Sequence, residues 1–251
     1  MRLKSHISIF GRIAGLALGF LVVLSASRLM LVGIYWDRVA PTDGLGFILL
    51  QGVRFDIILL GMVFAPVLLL KPWFHTLAFL RRIGMWLFPV YMALVTSMAF
   101  FIEATTTSFI AEYGNRPNYL FVEYLVFPKE VFSMLAGSHL LELIALPIVA
   151  FLLAWFVFKW LRKDPRRDIR VPFWFCLLAT PLAVILVVAM VRSTLEHRPV
   201  NPSIAVFSQD SMVNQLPLNS PYSLLYAVYE HRRDAKEKKV RYGSLDDGEV
   251  L

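Results

Sequence analysis

Five ionisable residues stand inside or at the rims of long apolar runs: Arg28, Arg54, Asp56, Glu103 and Glu142. A sixth, Arg116, lies in the loop after Glu103. A charge within hydrocarbon costs several kcal/mol, so each must meet a partner or face a polar cavity. Two chemistries suit these residue types. The arginines can close ion pairs that lock helices together, or they can grip an anionic phosphate, which guanidinium binds through two parallel N–H bonds. Arg54 and Asp56 are two positions apart and point to nearly opposite sides of a helix, so they do not neutralise each other. Candidate pairs are Arg28 with Glu103 or Asp56, and Arg54 with Glu142.

Other chemistry is thinly represented. His139 and Glu142 share a helical face at i and i+3, but two ligands do not make a metal site. Thr105 to Thr107 lack a neighbouring base and read as loop residues. No G-x-S-x-G, P-loop, H-E-x-x-H or paired C-x-x-C occurs. The single cysteine, Cys176, admits no disulfide within the chain.

The elements that must position these residues follow from composition. Of 251 residues, 58% are hydrophobic and only 17% charged, against roughly 25% charged in soluble domains. About 20 apolar residues cross a bilayer as helix, and five such stretches are present: Ile13 to Trp36, Leu49 to Leu70, Ile83 to Ile102, Leu140 to Leu161 and Val171 to Val191. The first has the basic flank and small residues (Ser25 to Ser27) of a signal peptide. Apolar sequence resumes beyond Arg28 and ends in aromatic anchors, which favours a spanning helix.

Loop charge sets the orientation. Lys and Arg number three before the first span, three between the second and third, and six between the fourth and fifth, against one and two in the alternate loops. The bias predicts a cytoplasmic N-terminus and an outer C-terminus. The net charge of +7 is therefore a topology signal and not a nucleic-acid footprint. Arg28 then lies roughly 12 Å from the outer end of its helix, and Arg54 and Asp56 about 8 to 10 Å deep on the same side.

The expected fold is an all-α membrane protein with five transmembrane helices in residues 1–191. A juxtamembrane extracytoplasmic tail, 192–251, follows. Interfacial helices are expected in two places. One is the aromatic outer loop Glu103 to Val131, with Phe109, Tyr113, Tyr119, Phe121, Tyr124 and Phe127. The other is the tail, where Ser220 serves as N-cap, Pro221 opens the helix, and Leu224, Leu225, Val228 and Tyr229 form one face.

Two stretches carry a family resemblance. In "EYGNRPNYLFVEYLVFPKEV", residues Glu112, Tyr113, Arg116, Asn118, Val122, Glu123, Tyr124, Leu125, Phe127, Glu130 and Val131 resemble the outer loop of bacterial lipoteichoic-acid-synthase-like membrane proteins, a branch of the sulfatase and alkaline-phosphatase superfamily. In "NQLPLNSPYSLLYAVY", residues Asn214, Leu216, Asn219, Tyr222 and Ala227 resemble the segment that joins the last span to the enzyme domain. "RFD" at Arg54 to Asp56 is similar to the family's second span.

The resemblance implies an extracytoplasmic domain that transfers phosphoglycerol or a similar alcohol phosphate from a membrane lipid, using a threonine nucleophile and a divalent metal, often manganese. The strand that opens that domain, of the form "PNVVxIxxES", is not found after Gly243, nor are its aspartate and histidine ligands. The implied role is therefore that of an anchor without a catalytic centre or cofactor of its own. Such an anchor would sit in the bacterial cytoplasmic membrane, mount a sulfatase-fold domain in cis or in trans, and present an anionic phospholipid such as phosphatidylglycerol through Arg28, Arg54 and Arg116. A transporter or channel subunit and a non-enzymatic scaffold for envelope assembly are the alternatives.

Overall fold

The structure, a computed structural model, describes residues 6–126, 137, 140–166, 168–197 and 199–241. Its regular elements are helices, with no strand among the described residues. Five helices are long and apolar enough to cross a membrane. They are α1 (Gly11–Ile34), α3 (Leu45–Phe74), α4 (Ala78–Ala104), α7 (Leu140–Arg162) and α8 (Phe173–Arg192). Shorter helices connect or follow them: α2 (Trp36–Val39), α5 (Thr106–Tyr113), α6 (Tyr119–Val126) and α9 (Ser220–Arg241). The first span runs unbroken through Ser25 to Ser27.

Helix α3 is the centre of the bundle. It packs against α1, α4 and α8, while α7 lies against α4 on the other flank. Half of the most apolar window of α3 is buried, against 6% in α7 and 11% in α8, so the flanking helices present their apolar sides outward. Close approach of α3 to α8 depends on Gly61, where a β-carbon would fall 2.8 Å from the Met190 β-carbon. Prolines sit inside four spans (Pro66 and Pro72, Pro89, Pro147, Pro181), as packed membrane helices allow.

Between its ends the bundle is filled by Phe20, Leu24, Leu59, Leu60, Phe64, Phe88 and Met92. The two ends differ in content. At one end the start of α1 meets the end of α3, where Lys71 Nζ donates to the Ile9 carbonyl (2.7 Å). At the other end residues 200–222 pack into the bundle as part of its core. Val200, Ala205, Leu218 and Tyr222 bury Phe55 and Ile58 of α3, and Met212, Val213 and Leu216 join Leu31, Val32, Ile48 and Ile110.

The aromatic loop forms short helices with rings packed on one another. Phe109 contacts Tyr113 and Phe121, and Tyr119 stacks on His231 of α9 at 3.8 Å. Phe127, Glu130 and Val131 lie outside the described residues. The face that helix α9 turns to the bundle begins at Tyr222. Tyr222 is buried and Tyr226 packs beside it, whereas Leu225 and Tyr229 are more than half exposed. The reason is the anchoring at its first turn, which fixes the rotation of the whole helix.

Candidate functional site

At the tail-bearing end, two cations and two anions sit in one buried network. Arg28 of α1 and Asp56 of α3 form a two-pronged pair, Nη1 to Oδ2 at 2.8 Å and Nη2 to Oδ1 at 2.7 Å. Arg28 is only 1% exposed and Asp56 fully buried. Room for the guanidinium exists because position 52 is glycine. A β-carbon there would lie 2.2 Å from Arg28 Nε. Among the described residues that Nε has no hydrogen-bond partner, and the carboxylate of Asp56 holds the guanidinium.

Glu103, at the end of α4, pairs with Arg116 (Oε1 to Nη1, 3.0 Å) and accepts from Ser27 Oγ at 2.8 Å. Its second oxygen accepts the backbone N–H of Ser220 at 2.7 Å. Arg116 is also 1% exposed and donates to the carbonyl of Gln215 (2.8 Å) and to Ser220 Oγ (3.0 Å). Burial lowers the Arg116 guanidinium from its ordinary value, and Glu103 works against that shift.

Adjacent residues tie the two pairs into one clasp. Ser27 and Arg28 on α1 take one carboxylate each, and so do Asn219 and Ser220 on the tail, since Asn219 Nδ2 donates to Asp56 Oδ1 at 3.0 Å. The other end of the Asn219 amide accepts the N–H of Tyr222 at 3.0 Å. Asn219 is therefore the N-cap of α9, and Ser220 is the first helical residue and not the cap. A carboxylate at a helix N-terminus also meets the positive end of the dipole, which Glu103 does here. Thr106 is drawn in as well. Instead of standing in an exposed loop, it is buried and bonded to Ser220 Oγ.

Arg54 stands apart from the clasp. Its guanidinium donates to Ser193 Oγ (3.1 Å) and to the Ser193 carbonyl (2.5 Å), with a longer bond to Gln51. Ser193 ends α8 with φ near 50°, in the left-handed region, which costs a non-glycine residue roughly 1–2 kcal/mol. Arg54 thus holds a strained turn. The expected pairing of Arg54 with Glu142 is not formed: Glu142 receives Ser108 Oγ. His139 lies outside the described residues.

Beside Arg54, an open groove of about 800 Å³ runs along α8, lined by Val184, Ile185, Val188, Ala189 and Arg192 through Leu195. Arg192 donates to the carbonyls of Thr194 and His197, each at 3.2 Å. A second arginine pair holds the tail from outside. Arg38 grips Asp210 through two bonds of 2.8 and 2.6 Å, and the hydrogen bond from Arg38 lowers the Asp210 carboxyl below its ordinary value.

These partners set what the site can do. Both oxygens of Asp56 and of Glu103 are engaged, as are the terminal nitrogens of Arg28. Tyr222 donates to the Val200 carbonyl, and burial pushes its hydroxyl up to about 12. No acid, base or nucleophile is poised there, and no three His, Cys, Asp or Glu side chains converge among the described residues. The arrangement is a clasp with a half-buried arginine and an apolar groove beside it.

Asn219, Ser220 and Ser27 were not singled out as partners for the buried charges from the residues themselves. Their polar side chains are ordinary in sequence, and only the tail's return onto the bundle brings them together. No protein-family model matches the chain, and no solved structure matches it.

Proposed function

We propose that this chain is the membrane anchor and lipid-presenting part of a phosphoglycerol transferase, or of a related alcohol-phosphate transferase, acting on the outer face of the cytoplasmic membrane. The observation that carries the reading is the clasp. Asn219 and Ser220 dock the start of α9 onto α3 and α4 through Asp56 and Glu103, so a sulfatase-fold domain joined to or resting on α9 is held at a fixed height over the bundle. Fixed placement of a catalytic group against a lipid substrate is worth orders of magnitude in rate.

In this reading the N-terminus is cytoplasmic, because the basic loops gather at the end away from the tail. The lipid lies in the groove of α8, its hydrocarbon against Val184, Ile185 and Val188, its phosphate near Arg54 and Arg192. Arg28 and Arg116 are not available to it, since protein acceptors bury and occupy them. The threonine nucleophile and the divalent metal, manganese or similar, belong to the transferase domain. The anchor contributes position and the donor's headgroup contact.

The apolar filling between the two ends speaks against a solute path and so against a transporter. The exposed Leu225 and Tyr229 on α9 favour a partner in trans as the second arrangement, in which the chain scaffolds an envelope-assembly enzyme encoded apart from it. Co-purification of a soluble partner from the outer face would separate that case.

The test is Arg54→Ala in the transferase that contains this chain. Turnover of the lipid donor falls at least several-fold while membrane abundance stays level. Lost abundance with unchanged turnover per molecule would assign Arg54 to the fold alone.

A further inference from the structure

The end of the bundle away from the tail has a different charge balance. Arg12 of α1, Lys71 at the end of α3, Arg81 at the start of α4, Arg162 at the end of α7 and Arg166 just beyond it gather around one carboxylate, Asp164. Arg12 Nε lies 4.0 Å from Asp164 Oδ1, and Asp164 and Arg166 are both within electrostatic reach of Lys71. His75, between them, feels Lys71 and Arg81. Its Nδ1 bonds to the Ile169 carbonyl at 2.8 Å, and burial, the main cause, lowers it from its ordinary value, which keeps the ring neutral at pH 7.

Among the described residues, Arg12, Lys71, Arg81 and Arg166 thus gather near Asp164. At the opposite end each buried arginine has its own carboxylate. Here the Nη1 groups of Arg12 and Arg81 are buried with no hydrogen-bond partner among the described residues, an arrangement that proteins avoid because an unsatisfied buried donor on a charged group is costly. Part of the charge is already placed: Lys71 on the Ile9 carbonyl, and Arg162 on the Met85 carbonyl and 3.5 Å over the Trp86 ring. None of those acceptors carries a negative charge. A cavity of about 40 Å³ lies beside Asp164, lined by Lys71, His75 and Arg162 with Ile13, Phe88 and Leu161. That is room for roughly three water-sized bodies, the size of the oxygens projecting from a phosphate.

We propose that this end of the bundle binds a phosphate group, carried either by a free phosphate-bearing ion or by the headgroup of an anionic phospholipid. Cations arriving from four different helix ends are joined by the anion. Guanidinium donors suit its several oxygens better than a single-point halide. The site is separate from the tail-end groove, and its test does not depend on the transferase reading.

The experiment uses the full chain purified in a neutral detergent. Inorganic phosphate is titrated against thermal unfolding, and native mass spectrometry reads phosphatidylglycerol against phosphatidylcholine retained from mixed micelles. Saturable stabilisation by inorganic phosphate identifies a free ion. Preferential retention of phosphatidylglycerol without it identifies a headgroup. In either case Arg81→Gln and Arg12→Gln weaken binding about ten-fold, whereas Arg82→Gln, an exposed neighbour, leaves it unchanged. Asp164→Asn removes the competing acid and tightens binding, so a gain remains readable even where the arginine variants fold poorly. Equal binding by wild type, Arg81→Gln and Asp164→Asn overturns the proposal, and so does an equal loss in Arg82→Gln, which would reflect bulk charge alone.

Discussion

Arg28 shows how one residue can be indispensable without being reactive. Its guanidinium is buried, its Nε has no hydrogen-bond partner among the described residues, and its charge is balanced by Asp56. Removing one member of such a pair strands the other in a low-dielectric interior, at a cost of about 3–5 kcal/mol, while replacing both by apolar groups is far milder. Asp56→Ala is therefore expected to lower the unfolding temperature of the purified protein sharply. Arg28→Met combined with Asp56→Leu is expected to recover most of the loss. If the double variant melts no higher than Asp56→Ala, the pair is not the reason for the loss. The pairing of Arg28 with Asp56 was among the candidates legible from the sequence. Glu103 with Arg116 was not among the candidate pairs. Arg116 sits thirteen positions later in a loop, and no helical spacing reports that a loop folds back.

At the scale of elements, the five long apolar helices were legible because hydrocarbon demands about 20 apolar residues in a row; three of the runs lie within their helices, whereas Trp36 falls past the end of α1 and Val171 before the start of α8. Their ends were less legible. Helix α3 extends four residues beyond both predicted limits, from Leu45 to Phe74, because backbone hydrogen bonding continues past the last apolar residue. The first turn of α9 was misassigned by one position. Ser220 and Asn219 are both good caps, and the choice fell to Asn219 because Asp56 holds the other end of its amide. Asn219→Ala removes both bonds. Amide exchange at Tyr222 and Ser223 is expected to rise, with a loss of about 1–2 kcal/mol by the usual worth of a cap. Unchanged exchange there would mean that Glu103 alone seats the helix.

For the whole molecule, the two ends carry the clearest division. One has arginine–carboxylate pairs and a docked tail, the other a cluster of cations near Asp164. The proposed orientation puts the cationic end in the cytoplasm, so alkaline-phosphatase fusions after Arg241 are expected to be active and fusions after Arg82 inactive. The reverse pattern would invert the placement and remove the basis for an outer-face reaction. The return of residues 200–222 into the core was invisible in the sequence, since apolar residues such as Met212, Val213 and Leu216 are too few in a row to mark a buried segment.

That return has a consequence for biogenesis. The chain is threaded into the bilayer from its N-terminus, so Arg28 enters hydrocarbon before Asp56 has been synthesised, and Glu103 arrives before Arg116. Arg28 finds its counterpart in the next long helix and Glu103 in the loop that follows its own, and Asn219 and Ser220 close the arrangement last. The docking of Asn219 and Ser220 completes the network only after the helices that carry its two carboxylates have been synthesised.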